Sequence, residues 1–241
     1  MKITRISILL VIAGFVTACS QGDEPMGQMV DEEGLGVPSG VYAVDKNHTY
    51  LTFSYLHQGL SYPLLRATGI NGELDLDTSA MEKSSVSIAV DVATIRSNVD
   101  YFDKELASSK FFNAAKFPKI SFASNSYESI SETEGALAGF ITIRGITKPL
   151  ILTVKINGAL THPMTGKPVI GFSASGHLNR SDFGLDRFIP AVADRVELKI
   201  EAEFELGSNE GSTAAANLAR EVMSNADLAM LETDAGNAGS T

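Results

Sequence analysis

The 241-residue sequence contains a single cysteine, no tryptophan and only four histidines. One cysteine excludes an intrachain disulfide and any zinc site that needs several thiolates. The histidines do not occur at metal-ligand spacings such as H-E-x-x-H, so we predict no metal site; they are His48, His57, His162 and His177. The glycine-rich loops that bind phosphates or dinucleotides are also missing, so the sequence predicts no nucleotide cofactor.

Catalytic motifs are missing as well. The nearest approach to the nucleophile elbow G-x-S-x-G is GFSASG at residues 171–176, which has the wrong last residue and lies in a strand-like pattern. An enzyme would need a titratable pair with a perturbed pKa inside the domain, and His57 is the one visible candidate. We therefore predict a protein that is not an enzyme.

Positive charge is scarce, because 19 lysines and arginines stand against 29 aspartates and glutamates, for a net charge of −10. Nucleic-acid binding requires a basic patch that neutralises phosphates. No segment of the sequence provides one, so we exclude nucleic acid as a partner.

Long hydrophobic runs are limited to residues 6–16, which follow two basic residues. A membrane-spanning helix needs about 20 residues, so this run has the length of an export signal. The letters VTAC at residues 16–19 resemble the lipobox of bacterial lipoproteins, whose cysteine is acylated and becomes the new N-terminus. We predict a lipoprotein signal peptide at residues 1–18 and a lipid attached to Cys19. A plain secretory signal with an incidental thiol is the alternative.

The residue after this cysteine bears on location. Ser20, a residue other than aspartate, is typical of lipoproteins that are sent to the outer membrane. We therefore expect a periplasmic protein with a lipid anchor, in the outer membrane of a diderm bacterium.

The two ends of the mature chain lack the pattern of a packed core. Residues 19–40 are rich in glycine and acidic residues, which predicts a flexible acidic tether. Residues 207–241 are rich in alanine and acidic residues, with Leu218, Val222 and Met223 on one side of a weak helix. We predict a loosely ordered tail there, and one domain at residues 41–206.

Within that domain apolar and polar residues alternate with a period of two, which predicts strands with one apolar face. Leu51, Phe53, Tyr55 and His57 share one face of the first strand. The pattern recurs to give about eight antiparallel strands, at residues 51–57, 72–77, 86–92, 119–127, 137–144, 150–156, 169–178 and 196–206. Periodicity alone leaves both a sandwich and a closed barrel open.

One helical segment interrupts the strands at residues 98–112. Asn98 is its predicted N-cap, with Val99, Phe102 and Leu106 on one face. In a barrel, a short helix at this position would lie across one mouth.

Four motifs, in order, resemble the YceI family: NHTYLTFSYLHQG, FFNAAKFPKISFAS, GFITIRGITKPLILTVKINGA and GFSASGHLNRSDFGL. The resemblance covers residues 41–206. It implies an all-β fold, an eight-stranded antiparallel lipocalin-like barrel with an apolar tunnel and no catalytic residues. Some family members bind isoprenoid lipids such as polyprenols or quinones. One departure is Phe140, which stands where the family usually has an acidic residue.

The resemblance and the strand parity together predict the ligand site. The residues expected to line the tunnel are Phe53, Tyr55, Ile88, Val90, Phe122, Ile141, Leu152, Val154, Phe172, Ala174 and Leu198. His57, Arg144 and Arg180 are candidates for head-group contacts, although the two arginines lie at turns and fit a structural role as well.

The resulting hypothesis is a lipid-anchored envelope protein that binds or carries an isoprenoid-like amphiphile, such as a polyprenol or quinone, with no other cofactor. The alternative is a structural or stress-related envelope protein whose barrel is filled by side chains. Aromatic residues fit both hypotheses, because they pack cores and also line pockets for hydrocarbon ligands. The sequence leaves open whether the barrel forms a homodimer.

Overall fold

The computed structural model describes residues 34–207 and 212–238. Cys19, the signal peptide and most of the predicted tether lie outside the described residues. Ten strand segments follow in chain order: β1 Gly40–Val44, β2 Tyr50–His57, β3 Leu64–Ala67, β4 Ile70–Leu76, β5 Ser85–Asp91, β6 Lys119–Ser129, β7 Glu134–Ile143, β8 Ile146–Thr161, β9 Pro168–Asn179 and β10 Val192–Leu206. The helices are α1 Asp100–Ala107 and α2 Ser212–Ala238, with 3-10 turns at Met81–Lys83, Val92–Thr94 and Arg180–Phe183.

These segments form a closed antiparallel barrel that is eight strands wide. From β5 to β10 each strand pairs with its predecessor. In addition, β1 and β2 both pair with β10, while β1 pairs with β4 and β2 with β3. The segments β1 and β2 are therefore two parts of one barrel strand, and β3 and β4 are two parts of the next. The predicted eight-stranded barrel is confirmed, and the short segments β1 and β3 are the parts that the sequence pattern missed.

Strand alternation decides what faces the interior. In β10, Leu198 and Ile200 point inward while Glu197, Lys199 and Glu201 point outward, because successive side chains leave a strand on opposite faces. Loops at one end of the barrel, called here the mouth end, are residues 58–63, 92–118, 144–145 and 180–191. The opposite end carries the start of β1 and the end of β10.

Helix α1 lies at the mouth end, as predicted, but its start differs from the prediction. Val99 is the capping position and makes no side-chain cap, whereas Asn98 has a positive φ of 67°. The first turn is held instead by Asp103, whose carboxylate accepts hydrogen bonds from the Ser97 backbone N–H at 2.7 Å and the Ser97 hydroxyl at 2.6 Å. A carboxylate within the first turn also interacts favourably with the helix dipole.

In the predicted tail, where the sequence indicated a weak helix, residues 212–238 form helix α2. This helix lies against β4 to β8, and its Val222 is only 1% exposed. Two outward residues of this wall are small and buried: Ala123 is 1% exposed and Ala89 is 8% exposed. Small side chains let a helix approach a sheet closely. The apolar periodicity of the tail is weak, so the tail sequence alone does not predict this packing against the barrel.

Phe140 fits this arrangement. It lies on the outer face of β7, opposite Ala123 of β6 and Pro149 of β8. An acidic side chain here would stand on the barrel wall that α2 packs against. Over the described ranges, no helix is both long enough and apolar enough to cross a bilayer.

Candidate functional site

The barrel encloses a cavity of about 580 Å³. Its wall is formed mainly by the inward faces of the barrel strands, and most of the residues that line it are apolar. One water molecule occupies about 30 Å³ in the liquid, so the space is roughly twenty times the size that a buried water needs. Ordinary protein interiors hold few voids larger than a single water molecule. The volume is that of a binding cavity rather than of a packing defect.

Thirteen of the fourteen residues that the sequence assigned to the ligand site line this cavity. They are Phe53, Tyr55, His57, Ile88, Val90, Phe122, Ile141, Leu152, Val154, Phe172, Ala174, Arg180 and Leu198. Strand parity located them because inward residues repeat every second position. The fourteenth, Arg144, lies outside the cavity lining.

The burial pattern indicates a hollow interior. Phe53, Ile88 and Phe172 point inward yet are only half-buried, because their side chains border open space. Ala123 and Ala89 point outward yet are buried, because α2 lies against that wall. In a barrel filled by side chains the inward residues would be the more buried set.

The sequence did not assign the residues that narrow the mouth end. Phe102 and Leu106 of α1 line the cavity, as do Phe111 and Phe112 after it. The Phe102 and Phe111 rings meet edge to face with centroids 5.8 Å apart, and the Arg187 guanidinium lies 5.9 Å from the Phe111 ring centroid. The helical spacing of Phe102 and Leu106 was the available signal, since it marked an apolar helix face that needed a partner.

Arg180 is buried at the start of its 3-10 turn and fastens the loop that precedes β10. Its Nε donates to the Ala193 carbonyl at 2.9 Å, and its terminal nitrogens donate to the carbonyls of Val192 at 2.8 Å, Arg187 at 2.9 Å and Leu185. These bonds use four of the five guanidinium N–H groups. Within the described ranges no carboxylate lies within 4.0 Å of this guanidinium, and its pKa is lowered by burial.

Tyr55 provides a second polar group in the cavity wall. Its hydroxyl makes no hydrogen bond to any described residue, and burial raises its pKa while the nearby Arg180 charge opposes that shift. His57 follows two positions later on the same strand face. The Tyr55 hydroxyl, beside an arginine without a paired carboxylate, gives the apolar cavity a polar region.

Arg144 does not line the cavity, unlike the other predicted site residues. It occupies the β7–β8 turn with Gly145, where φ values of 53° and 75° correspond to the primed turn that matches strand twist. Its guanidinium donates to the carbonyls of Phe183, at 3.3 Å, and Gly184. The side chain therefore ties the turn to residues 183–184, while its Nε is buried without a hydrogen-bond partner.

His48 joins a group of acids that the sequence spacing did not reveal. Its Nδ1 lies 2.7 Å from Asp45 Oδ2 and 3.9 Å from Glu203 Oε2, on the outer wall of the barrel. The backbone N–H of Asp45 donates to the Glu203 carbonyl at 2.8 Å. Asp45, His48 and Glu203 hold the segment between β1 and β2 against β10. The hydrogen bond to Asp45 and the charges of Asp45 and Glu203 raise the pKa of His48.

A closed eight-stranded antiparallel barrel with a large apolar cavity and a helix at the mouth defines a lipocalin-like barrel fold. The profile of the YceI-like domain matches residues 42–204. The chain therefore belongs to the YceI family. Protein YceI of Salmonella arizonae is 30% identical over 164 residues, which are 67% of this chain and 85% of that protein. A UPF0312 protein of Ectopseudomonas mendocina is 29% identical with the same coverage.

Solved structures share the barrel. The YCEI protein of Campylobacter jejuni has a TM-score of 0.58 at 28% identity and covers 64% of this chain and 90% of its own. Burkholderia cenocepacia BcnA has a TM-score of 0.61 at 17% identity, with coverage of 66% and 98%. A polyisoprenoid binding domain from Saccharophagus degradans has a TM-score of 0.53 at 10% identity, with coverage of 69% and 98%. The last two likenesses show the fold alone.

Proposed function

We propose that this protein binds an elongated isoprenoid-like amphiphile, such as a polyprenol or a quinone, in the barrel cavity, and carries it in the bacterial envelope without catalysis. The cavity of about 580 Å³ with a nearly continuous apolar wall is the observation that carries the proposal. The name of the Saccharophagus degradans neighbour, a polyisoprenoid binding domain, supports the same ligand class.

The energetics favour a long hydrocarbon chain over a small polar ligand. Each methylene moved from water into the cavity contributes about 0.8 kcal/mol, so a few isoprene units supply ample affinity relative to water. Relative to a bilayer the gain is far smaller, because the lipid tail already lies in hydrocarbon there. Selectivity must then come from the shape of the cavity and from a small number of polar contacts.

Tyr55, His57 and Arg180 are the proposed head-group contacts. The Tyr55 hydroxyl is free to donate or accept, and Arg180 has one N–H left beside its four backbone bonds. Tyr55→Phe removes the hydroxyl alone and leaves the Arg180 bonds intact. We expect ligand affinity to fall by about 1 kcal/mol, roughly fivefold, with an unchanged melting temperature. An unchanged affinity would exclude Tyr55 as a contact.

The location rests on the N-terminal sequence. We propose that Cys19 carries the lipid anchor, that residues 20–40 tether the barrel, and that it faces the periplasm from the outer membrane. One acyl chain binds a membrane only marginally, so lasting attachment needs the several chains of a mature lipoprotein. Fractionation of a Cys19→Ala variant tests this, since retention of the variant in the membrane pellet equal to that of the parent would refute the anchor.

The ligand proposal is tested by extraction. Protein isolated from its native envelope in mild detergent should show an added mass in native mass spectrometry, and organic extraction should release a prenyl lipid. The same spectra report whether the barrel is a monomer or a homodimer. Repeated absence of lipid, together with no affinity for added polyprenols or quinones, would favour a structural envelope protein without a ligand.

A further inference from the structure

Large apolar side chains are exposed around the opening of the cavity. Tyr101 and Phe188 are 72% and 59% exposed although both also line the cavity, and so is Val99 at 41%. The adjoining β2–β3 loop exposes Leu60 at 81% and Tyr62 at 67%. We call these five residues the apolar rim.

Two of the loops that carry the apolar rim are bonded to each other. The backbone N–H of Gln58, at the start of the β2–β3 loop, donates to the Ala191 carbonyl at 2.7 Å. The N–H of Val192 donates to the Phe188 carbonyl at 2.8 Å. The loop that holds Leu60 and Tyr62 is thus bonded to the loop that holds Phe188, and both lie at the same end as α1.

Phe188 is kept at the rim in an unusual backbone conformation. Its φ is 66°, in the left-handed region that a large side chain seldom adopts. The Arg187 guanidinium lies over its ring, 5.0 Å from the centroid. Strained residues that persist in a fold cluster at functional sites, and this strain holds an exposed aromatic ring at the cavity opening.

The two ends of the barrel differ in charge. The connecting segments of the mouth end hold seven basic and five acidic residues, whereas those of the opposite end, at 34–39, 77–84, 130–133 and 162–167, hold two basic and three acidic residues. The apolar rim therefore lies on the more positive end of a chain whose net charge is −10. Exposed tyrosine, phenylalanine and leucine beside arginine and lysine are the composition of a surface that enters the headgroup layer of an anionic membrane.

We propose that the apolar rim docks the mouth end onto the surface of an anionic bilayer, so that a ligand moves between bilayer and cavity without crossing water. The identity of the ligand rests on the proposed function, whereas docking depends on the rim alone. A bilayer is favoured over a protein partner or a second copy because the rim surrounds the opening of a cavity whose wall is hydrocarbon-like. Such a cavity gains from contact with the hydrocarbon phase that holds its ligand.

The absence of tryptophan provides the test. Tyr101→Trp places a single indole on the rim, and Met164→Trp places one in the β8–β9 turn at the opposite end, where Met164 is 89% exposed. Both full chains are incorporated into phosphatidylethanolamine–phosphatidylglycerol vesicles that contain lipid with brominated acyl chains. The tether joins the barrel at the start of β1, at the same end as Met164, so an anchor alone would favour quenching of the Met164→Trp indole and cannot produce stronger quenching at the rim.

We expect bromolipid to quench the Tyr101→Trp fluorescence by about twofold or more, with a blue shift, because an interfacial apolar surface enters about 5–10 Å into the bilayer. The Met164→Trp emission should stay unchanged. Adding Leu60→Glu should reduce the rim signal, whereas Ile130→Glu at the opposite end should not. Equal signals from the two indoles, or no quenching at the rim, would overturn the proposal. A rim blue shift without vesicles, accompanied by dimerisation, would assign the rim to a second copy instead.

The outcome is separable from that of the ligand proposal. Quenching at the rim with no extractable lipid retains membrane docking and refutes the carrier function. Extractable lipid with no rim quenching retains the ligand and refutes docking.

Discussion

Ala174→Trp should fill the cavity and change ligand binding and stability in opposite directions. Ala174 lies in β9 between Val154 of β8 and Ile200 of β10, faces the cavity and is half-buried because open space adjoins it. Ser175, the next residue, faces outward and is exposed. Ser175→Trp is therefore a matched control that adds the same side chain to the same strand on the other face.

The magnitude follows from the area that an indole buries. An aromatic side chain buries about 150–250 Å², which at about 25 cal/mol per Å² corresponds to roughly 4–6 kcal/mol before losses of side-chain entropy. We expect the delipidated Ala174→Trp barrel to be more stable than the parent by as much as about 3 kcal/mol, because the gain is an upper bound. Ligand affinity should fall about a hundredfold, since displacing roughly four methylenes at about 0.8 kcal/mol each costs about 3 kcal/mol.

Two measurements check this expectation. Urea unfolding of the delipidated proteins, followed by far-ultraviolet circular dichroism, gives the free energies of unfolding, and partition of a radiolabelled polyprenol gives the affinities. Ser175→Trp should leave both unchanged. In a filled barrel the inward indole would overpack the core and lower stability by about 1–3 kcal/mol, so a loss of stability in Ala174→Trp alone would refute the hollow interior.

Three further predictions concern the wall of the barrel. Ile200→Asp should lower the free energy of unfolding by about 3 kcal/mol, because it places an unpaired carboxylate on the apolar inner face. Glu201→Lys, on the outer face, should change it by less than about 1 kcal/mol. Equal melting temperatures for the two variants would overturn the face assignment. Val222→Asp should release α2 and cost about 2 kcal/mol, with faster hydrogen exchange in α2, and Glu221→Lys, on an exposed position, is its control. The pKa of His48 is raised by its hydrogen bond to Asp45 and by the Asp45 and Glu203 charges. Its stabilising contribution is therefore complete below the unfolded pKa of about 6.5 and disappears as pH rises through the higher folded pKa. Relative to His48→Gln, the parent should lose stability as pH rises above about 6.5, and parallel curves of stability against pH would contradict the assignment.

The sequence predicted the barrel and its lining because both depend on local periodicity. Inward residues such as Phe53, Val154 and Leu198 recur every second position, and no rearrangement of loops can move them to the other face without shifting the register. The ordered motifs then selected a barrel over a sandwich, which periodicity could not do. The short segments β1 and β3 escaped because each is four or five residues long and continues a strand interrupted by a corner.

The roles of the two turn arginines could not be separated from the sequence. Arg144 and Arg180 each precede or follow a strand, and both had the same two interpretations. In the structure Arg144 donates hydrogen bonds to the carbonyls of residues 183 and 184, outside the cavity lining. Arg180 lies in the cavity wall near Tyr55. Which carbonyls a long side chain reaches depends on how distant loops meet at the mouth end of the barrel, and no local pattern encodes that distance.

The sequence by itself determined the strand faces, the apolar character of the interior and the family, since each is written in residue spacing or in ordered motifs. The tertiary structure alone decided that the interior is hollow, that α2 covers the small outward residues around Ala123, and that exposed aromatic side chains surround the mouth. The physical reason is that cavity volume and helix docking depend on barrel radius, strand stagger and the relative position of segments far apart in the chain. A period of two specifies which way each side chain points, but not how much space lies in front of it.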